Sequence, residues 1–181
     1  MDELLPIVDD RGNVQGSALR SHCHNYSFLL HPVVHLHLFN TKGELCLQKR
    51  ASNKDIQPDK WDTAVGGHVS YNEPIEVALQ REAQEELGID GFLYQKAFSY
   101  AFRSEREYEL VNAFVACYDG QICFDSQEIS EVRFWTFDEI KGMMGNSVFT
   151  PNFEQEFDRL IQYLRKEDSF LPNAFNIKLR G

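Results

Sequence analysis

Glu82, Glu85 and Glu86 stand at i, i+3 and i+4 of a run in which Leu79, Ala83 and Leu87 recur every fourth residue beside Ile75. On a helix that spacing gathers three carboxylates on one face, within a few ångströms of one another. Unpaired, they repel. Hard divalent cations among the oxygens make such a cluster stable at neutral pH, and the same cations bridge a protein to a diphosphate. The competing reading is a solvated acidic face paired to Arg81. Upstream, Lys49, Arg50, Lys54 and Lys60 concentrate positive charge in one loop of an acidic chain, which suits the binding of a phosphate group beside a metal. His35 and His37 alternate with Val33 and Phe39 along one strand face, where structural hydrogen bonding is the expectation, and His22 reads as surface.

These residues need elements to position them. The glutamates belong to an amphipathic helix from about Pro74 to Leu87, with Asn72 as the expected N-cap, Pro74 in the first turn and Gly88 in the left-handed C-terminal position. Before it, Leu4 to Val8 and Val14 to Leu19 read as a hairpin around residues 9–13. Val33 to Phe39 and Glu44 to Gln48 read as a second hairpin, and Trp61 to Val65 as a short strand leading into Gly66-Gly67. After the helix come strand-like runs at Phe92 to Phe102, Glu107 to Tyr118, Gln121 to Phe124 and Val132 to Phe137. A short helix opens at Phe137, a second covers Asn152 to Arg165, and an irregular tail follows. Strands on both sides of a central helix, with another helix near the end, predict an α/β (α+β) fold, a mixed sheet between helices.

With 181 residues, 43% hydrophobic and 25% charged, the chain suits one globular domain, residues 1–181, with a hairpin at 1–20 and a helix and tail at 151–181 packed on it. A net charge of −10 leaves no general footprint for a nucleic-acid polymer or an anionic membrane. The first residues lack a basic flank and a long apolar run, and no stretch reaches the length of a membrane span, so a cytoplasmic protein is expected. Cys46, Cys117 and Cys123 lie in apolar runs without a C-x-x-C pair, so buried reduced thiols are expected, with Cys23 left open.

From Gly67 the chain reads Gly67, five residues, Glu73, seven residues, then Arg81-Glu82-Ala83-Gln84-Glu85-Glu86-Leu87-Gly88-Ile89. Chance produces the seven fixed residues at a given start with a probability on the order of 10⁻⁹ to 10⁻⁸. The pattern resembles the signature of the Nudix hydrolases. That resemblance implies a mixed sheet between helices, Mg²⁺ or Mn²⁺ as cofactor, and hydrolysis of a diphosphate joined to some group X by water attack. It implies Glu85 and Glu86 as principal metal ligands, Glu82 as a further ligand or the base, and the carbonyl of Gly67 as a metal contact. Glu73 and Arg81 become an ion pair that holds the loop, and a homodimer is the frequent assembly. The segment Val132 to Ile140 also resembles the late strand-to-helix part of these proteins.

Leu47-Gln48-Lys49-Arg50, Lys54, Trp61 and Gly67-His68 further resemble the isopentenyl diphosphate isomerases, a branch with the same fold. In that branch a set matching His24, His31, His68, Glu107 and Glu109 binds one metal ion. Glu107 and Glu109, two apart on a strand, point to the same face. The isomerases carry a catalytic cysteine immediately before the Gly-His pair, where this chain has Gly66, and a glycine cannot transfer a proton. Hydrolase is therefore the primary reading, with the histidine set as scaffold or second metal site and isomerase as the alternative.

Overall fold

A computed structural model describes residues 2–166. Its sheet is organised on β3 (Leu30–Phe39), ten residues that are all buried and therefore read as an almost continuous apolar run broken by histidines. One edge of β3 runs parallel to β8 (Tyr108–Cys117) in unbroken register from Leu30 opposite Tyr108 to Phe39 opposite Cys117. Antiparallel β7 (Tyr94–Arg103) lies beyond β8. The other edge of β3 is shared. β6 (Val65–His68) pairs with it from Val33 to Leu36, and β4 (Leu45–Arg50) meets it only at Phe39 opposite Leu45. The expected second hairpin thus exists at its turn but opens at once. β4 turns away to pair with β5 (Trp61–Thr63) and β9 (Ile129–Trp135), which leaves room for β6 beside β3. Where one strand was expected from Trp61 to Val65, two short ones, β5 and β6, serve two different partners.

The helices take opposite faces. Ala78, Leu79, Ala83 and Leu87 of α2 (Ile75–Leu87) pack on Val34, Leu36 and Leu38 of β3. On the other face, Phe153, Phe157, Leu160 and Leu164 of α4 (Pro151–Leu164) and Ile140 of α3 (Phe137–Met143) cover Phe39, Leu45, Leu47 and Val115. Thr136 and Glu139 cap α3 reciprocally, and Thr150 caps α4 ahead of Pro151. At the start of α2 the cap position falls on Pro74, not Asn72: Asn72 sits in a left-handed turn at φ 67°. Gly88 closes the helix at φ 65°, as expected. Residues 121–124 form no strand. The backbone there and at the next residue serves the open end of α2 instead, Cys123 N donating to Leu87 O at 2.9 Å and Asp125 N to Glu86 O at 3.1 Å.

The first hairpin is present as β1 (Leu4–Val8) and β2 (Val14–Leu19), followed by α1 (Arg20–His22) and a kinked turn, Cys23–Ser27, that carries His24. Cys23 and Cys46 are buried free thiols, whereas Cys117 is half-buried and Cys123 is exposed, because its segment is a surface cap on α2 and not a core strand. Among the described residues no helix is long and apolar enough to cross a membrane. The tail expected after residue 166 lies outside the described residues.

Candidate active site

Alternation along β6 sends neighbouring residues to opposite faces, and two clusters of ligand-type side chains use the two faces. Gly67 looks toward α2. A Cβ there would overlap the carboxylate of Glu82, so any larger residue at 67 would have to displace that carboxylate. Arg81 ties the region together: Nε and Nη2 donate to Glu73 at 2.9 and 2.8 Å, Nη2 to the carbonyl of His68 at 2.9 Å, and Nη1 to Glu82 at 2.7 Å and Glu85 at 3.1 Å. The hydrogen bonds from Arg81 hold Glu73 below the usual carboxylate range. Glu86 turns inward and accepts from Gln48 Nε2 at 3.0 Å and from the backbone N–H of Gly66 at 3.1 Å. Burial pushes its carboxyl up to about 8, and burial also raises that of Glu82. Desolvated carboxylates outnumber the one guanidinium among them, a charge balance that a divalent cation would complete.

His68 looks the other way. Its Nε2 lies 2.9 Å from Nε2 of His24, and nitrogens of His24, His31 and His68 all fall within 4.8 Å of one another. His31, Glu107 and Glu109 form an overlapping trio within the same limit, because the register sets His31 directly opposite Glu109. Glu107 Oε2 lies 3.0 Å from His24 Nδ1. His31 Nδ1 donates to the carbonyl of Leu29 at 2.8 Å, which leaves its buried Nε2 with a free lone pair and no hydrogen-bond partner. Burial lowers the imidazole of His31, brings that of His24 to about 4 and pulls that of His68 well down, so all three are neutral at pH 7. Burial and the neighbouring Glu107 push Glu109 up to about 8. Neutral imidazoles with an orphaned nitrogen beside two carboxylates are a donor set that fits a cation tolerant of mixed nitrogen and oxygen ligands.

Both clusters border one cleft of about 1480 Å³. Arg50 and Lys54 reach its wall, as do Arg20, Arg103 and Arg106, which the sequence reading did not single out. Lys49 does not line it: on β4 it alternates with Gln48 and Arg50, which do. Arg50 Nε is steadied by the carbonyl of Ile56 at 3.0 Å, Lys54 pairs with Glu128, and Lys60 donates to the carbonyl of Ser147.

Deeper along β3, His35 and His37 bond one carboxylate, as structural hydrogen bonding anticipates. His35 Nδ1 donates to Glu156 Oε2 at 2.6 Å, and His37 Nε2 lies 3.0 Å from Oε1. The Tyr100 hydroxyl lies 3.1 Å from the same carboxylate and 2.6 Å from Asn152 Oδ1. Glu156 has no solvent exposure. Nothing in its local sequence, a helical position between Phe153, Phe157 and Leu160, distinguished it from a surface residue.

A family model described as the NUDIX domain matches residues 29–153. This chain belongs to the Nudix family. Among curated relatives of this Nudix protein, an isopentenyl-diphosphate Delta-isomerase 2 of Photorhabdus laumondii is 30% identical over 162 residues, 86% of this chain and 90% of that protein. An uncharacterised Nudix hydrolase of Listeria monocytogenes is 34% identical over 152 residues, 82% of this chain and 79% of the other. Two crystal structures share the fold. DR0079 of Deinococcus radiodurans superimposes with a TM-score of 0.76 at 24% identity, covering 87% of this chain and 98% of that one. The NUDIX domain of Shewanella oneidensis NrtR, solved with ADP ribose, gives 0.61 at 16% identity, covering 74% and 87%.

Proposed function

We propose that this Nudix protein is a Mg²⁺- or Mn²⁺-dependent diphosphohydrolase that cleaves the diphosphate of a nucleoside diphosphate-X or a related compound by attack of water. The observation that carries the reading is the approach of Gly67 to the intact carboxylate face of α2, with Glu86 drawn inward by Gln48 and Gly66. Glu82, Glu85, Glu86 and the carbonyl of Gly67 would hold the cation. When bound, it supplies Lewis-acid activation of water and neutralises charge on the bridging and leaving oxygens. Arg81, locked by Glu73, fixes the carboxylates in register with the strand. One of those carboxylates accepts the proton of the attacking water, and Arg50 and Lys54, which border the same cleft, orient the diphosphate. A relative bound to ADP ribose lends support to a nucleoside diphosphate conjugate as the substrate class.

The isomerase alternative has a specific observation in its favour: the five-residue histidine and glutamate set does assemble, and an isomerase is among the relatives. Against it stands Gly66. Among the described residues that border the cleft there is no cysteine, and Cys23 is buried. The test is a product screen with metal-free protein, added Mg²⁺ or Mn²⁺, nucleoside diphosphate conjugates, dinucleotides and isopentenyl diphosphate. Metal-dependent phosphate-bearing fragments that vanish in Glu86→Gln support hydrolysis; a prenyl diphosphate isomerised at unchanged mass overturns it.

A further inference from the structure

The imidazole of His35 has two different ends. Nδ1 is buried on Glu156, whereas Nε2 has no hydrogen-bond partner among the described residues and keeps some solvent exposure, and the residue itself borders the cleft. The side chain as a whole is only 9% exposed, so what is accessible is essentially one edge of the ring. That edge is uncovered because of the residue opposite. His35 pairs across the strands with Gly66, and a Cβ on Gly66 would lie 3.5 Å from Cδ2 and 3.6 Å from Nε2 of His35. Any larger side chain at 66 would extend over the ring. The backbone N–H of the same Gly66 donates to Glu86, so the open imidazole edge and the inward carboxylate of the acidic helix flank a single residue.

We propose that His35 is a substrate-contacting residue, its Nε2 donating a hydrogen bond to a non-bridging oxygen of the diphosphate beside Gly66. The proposal rests on the diphosphate reading above. The carboxylate on Nδ1 fixes the orientation of the ring. A neutral ring held that way keeps its proton on Nδ1, so donation from Nε2 requires the imidazolium. That is the form called for by a fully buried Glu156 carboxylate, faced by imidazoles as its only cationic partners among the described residues. Charge acts in the same direction. Burial pulls the imidazole down, but the charge and hydrogen bond of Glu156, with Asp62 of β5 and Glu109 of β8 beyond it, outweigh burial and raise it to about 9, so Nε2 carries a proton at neutral pH. The groups around Glu156 itself are His37 of β3 and Tyr100 of β7. A charge-assisted donor to phosphate is a strong contact.

The probe is methylenediphosphonate, which resists hydrolysis, added with Mg²⁺ to ¹⁵N-histidine-labelled protein. Ring nitrogen signals are followed by NMR, and the His35 signal is identified by its loss in His35→Asn. Asparagine retains a donor to Glu156 at the Nδ1 position and has nothing at Nε2, whereas the amide of His35→Gln reaches the Nε2 position. The expected results are a shift of the His35 Nε2 signal on binding, a dissociation constant weakened about tenfold or more in His35→Asn, and partial recovery in His35→Gln. A His35 signal that stays in place while the probe saturates the protein overturns the proposal, and His35→Gln identifies that signal equally well if His35→Asn fails to fold. Equal affinity in a folded His35→Asn does so too. Failure of the parent protein to bind the probe at all removes the diphosphate reading as well, which separates the two claims.

Discussion

The two clusters on either side of β6 are built in opposite ways. The carboxylates of α2 come from one stretch of helix, Glu85 in solvent and Glu82 and Glu86 desolvated, and Arg81 ties Glu82 and Glu85 to Glu73 and the backbone of His68. The histidine and glutamate cluster draws on the kinked turn Cys23–Ser27, β3, β6 and the start of β8, is largely desolvated, and among the described residues has no hydrogen-bonded guanidinium within it comparable to Arg81. A set on one helix is pre-formed by local periodicity. A set gathered from four elements exists only once the sheet has its register, and its orphaned His31 nitrogen leaves it the better matched to a softer ion.

The sharpest break between the clusters is functional. Glu86→Gln should lower hydrolysis by about 10² or more, because a ligand or base at the reacting metal is lost. His31→Ala should leave Mg²⁺-supported hydrolysis within about tenfold while reducing uptake of Mn²⁺ or Zn²⁺ by about tenfold to a hundredfold, read by equilibrium dialysis. Equal losses of turnover in both variants would merge the two clusters into one centre. Gly67→Ala comes next: the methyl group must displace the Glu82 carboxylate, so turnover should fall by about tenfold to a hundredfold while the protein still folds, as circular dichroism would show. Wild-type turnover there would mean that the close approach has no part in the chemistry.

A smaller effect separates both clusters from the buried pair beneath them. Glu156 is held well below the usual carboxylate range because the charges of His35 and His37 outweigh its burial, and the same interaction raises His35 to about 9. A depressed carboxyl contributes stability above its unfolded value of 4.5, lost as pH falls through the folded one. The raised imidazole contributes fully below its unfolded value of 6.5, and that contribution is lost as pH rises through about 9. Stability from the pair is therefore greatest between those unfolded values and declines from about 6.5 toward 9. Glu156→Gln should cost about 3 kcal/mol at pH 6 and remove that alkaline decline, measured by urea denaturation across pH. An unchanged alkaline limb would refute the coupling.

How far the sequence disclosed this follows from how each part is made. The α2 face, its Gly88 stop and the Glu73–Arg81 pair were legible because each is a relation between residues less than three turns apart. The histidine set was legible only through its resemblance to a branch of the family, since His24 and Glu107 are far apart in the chain. What escaped was what depends on partners chosen in three dimensions. β4 leaves β3 after one pair, residues 121–124 cap a helix instead of extending the sheet, and Glu156 reads as one more polar position on α4 until two strand histidines face it. Lys49 shows the same limit at smaller scale: its charge is evident, but the strand phase that turns it from the cleft is fixed by pairing.

Hydrolysis in ¹⁸O-labelled water tests the central claim most directly. With Mg²⁺ and a panel of nucleoside diphosphate conjugates plus isopentenyl diphosphate, one ¹⁸O atom should enter a phosphate-bearing product, and the incorporation should disappear in Glu86→Gln. A product of unchanged mass from isopentenyl diphosphate, free of ¹⁸O and formed equally well by Glu86→Gln, would contradict it.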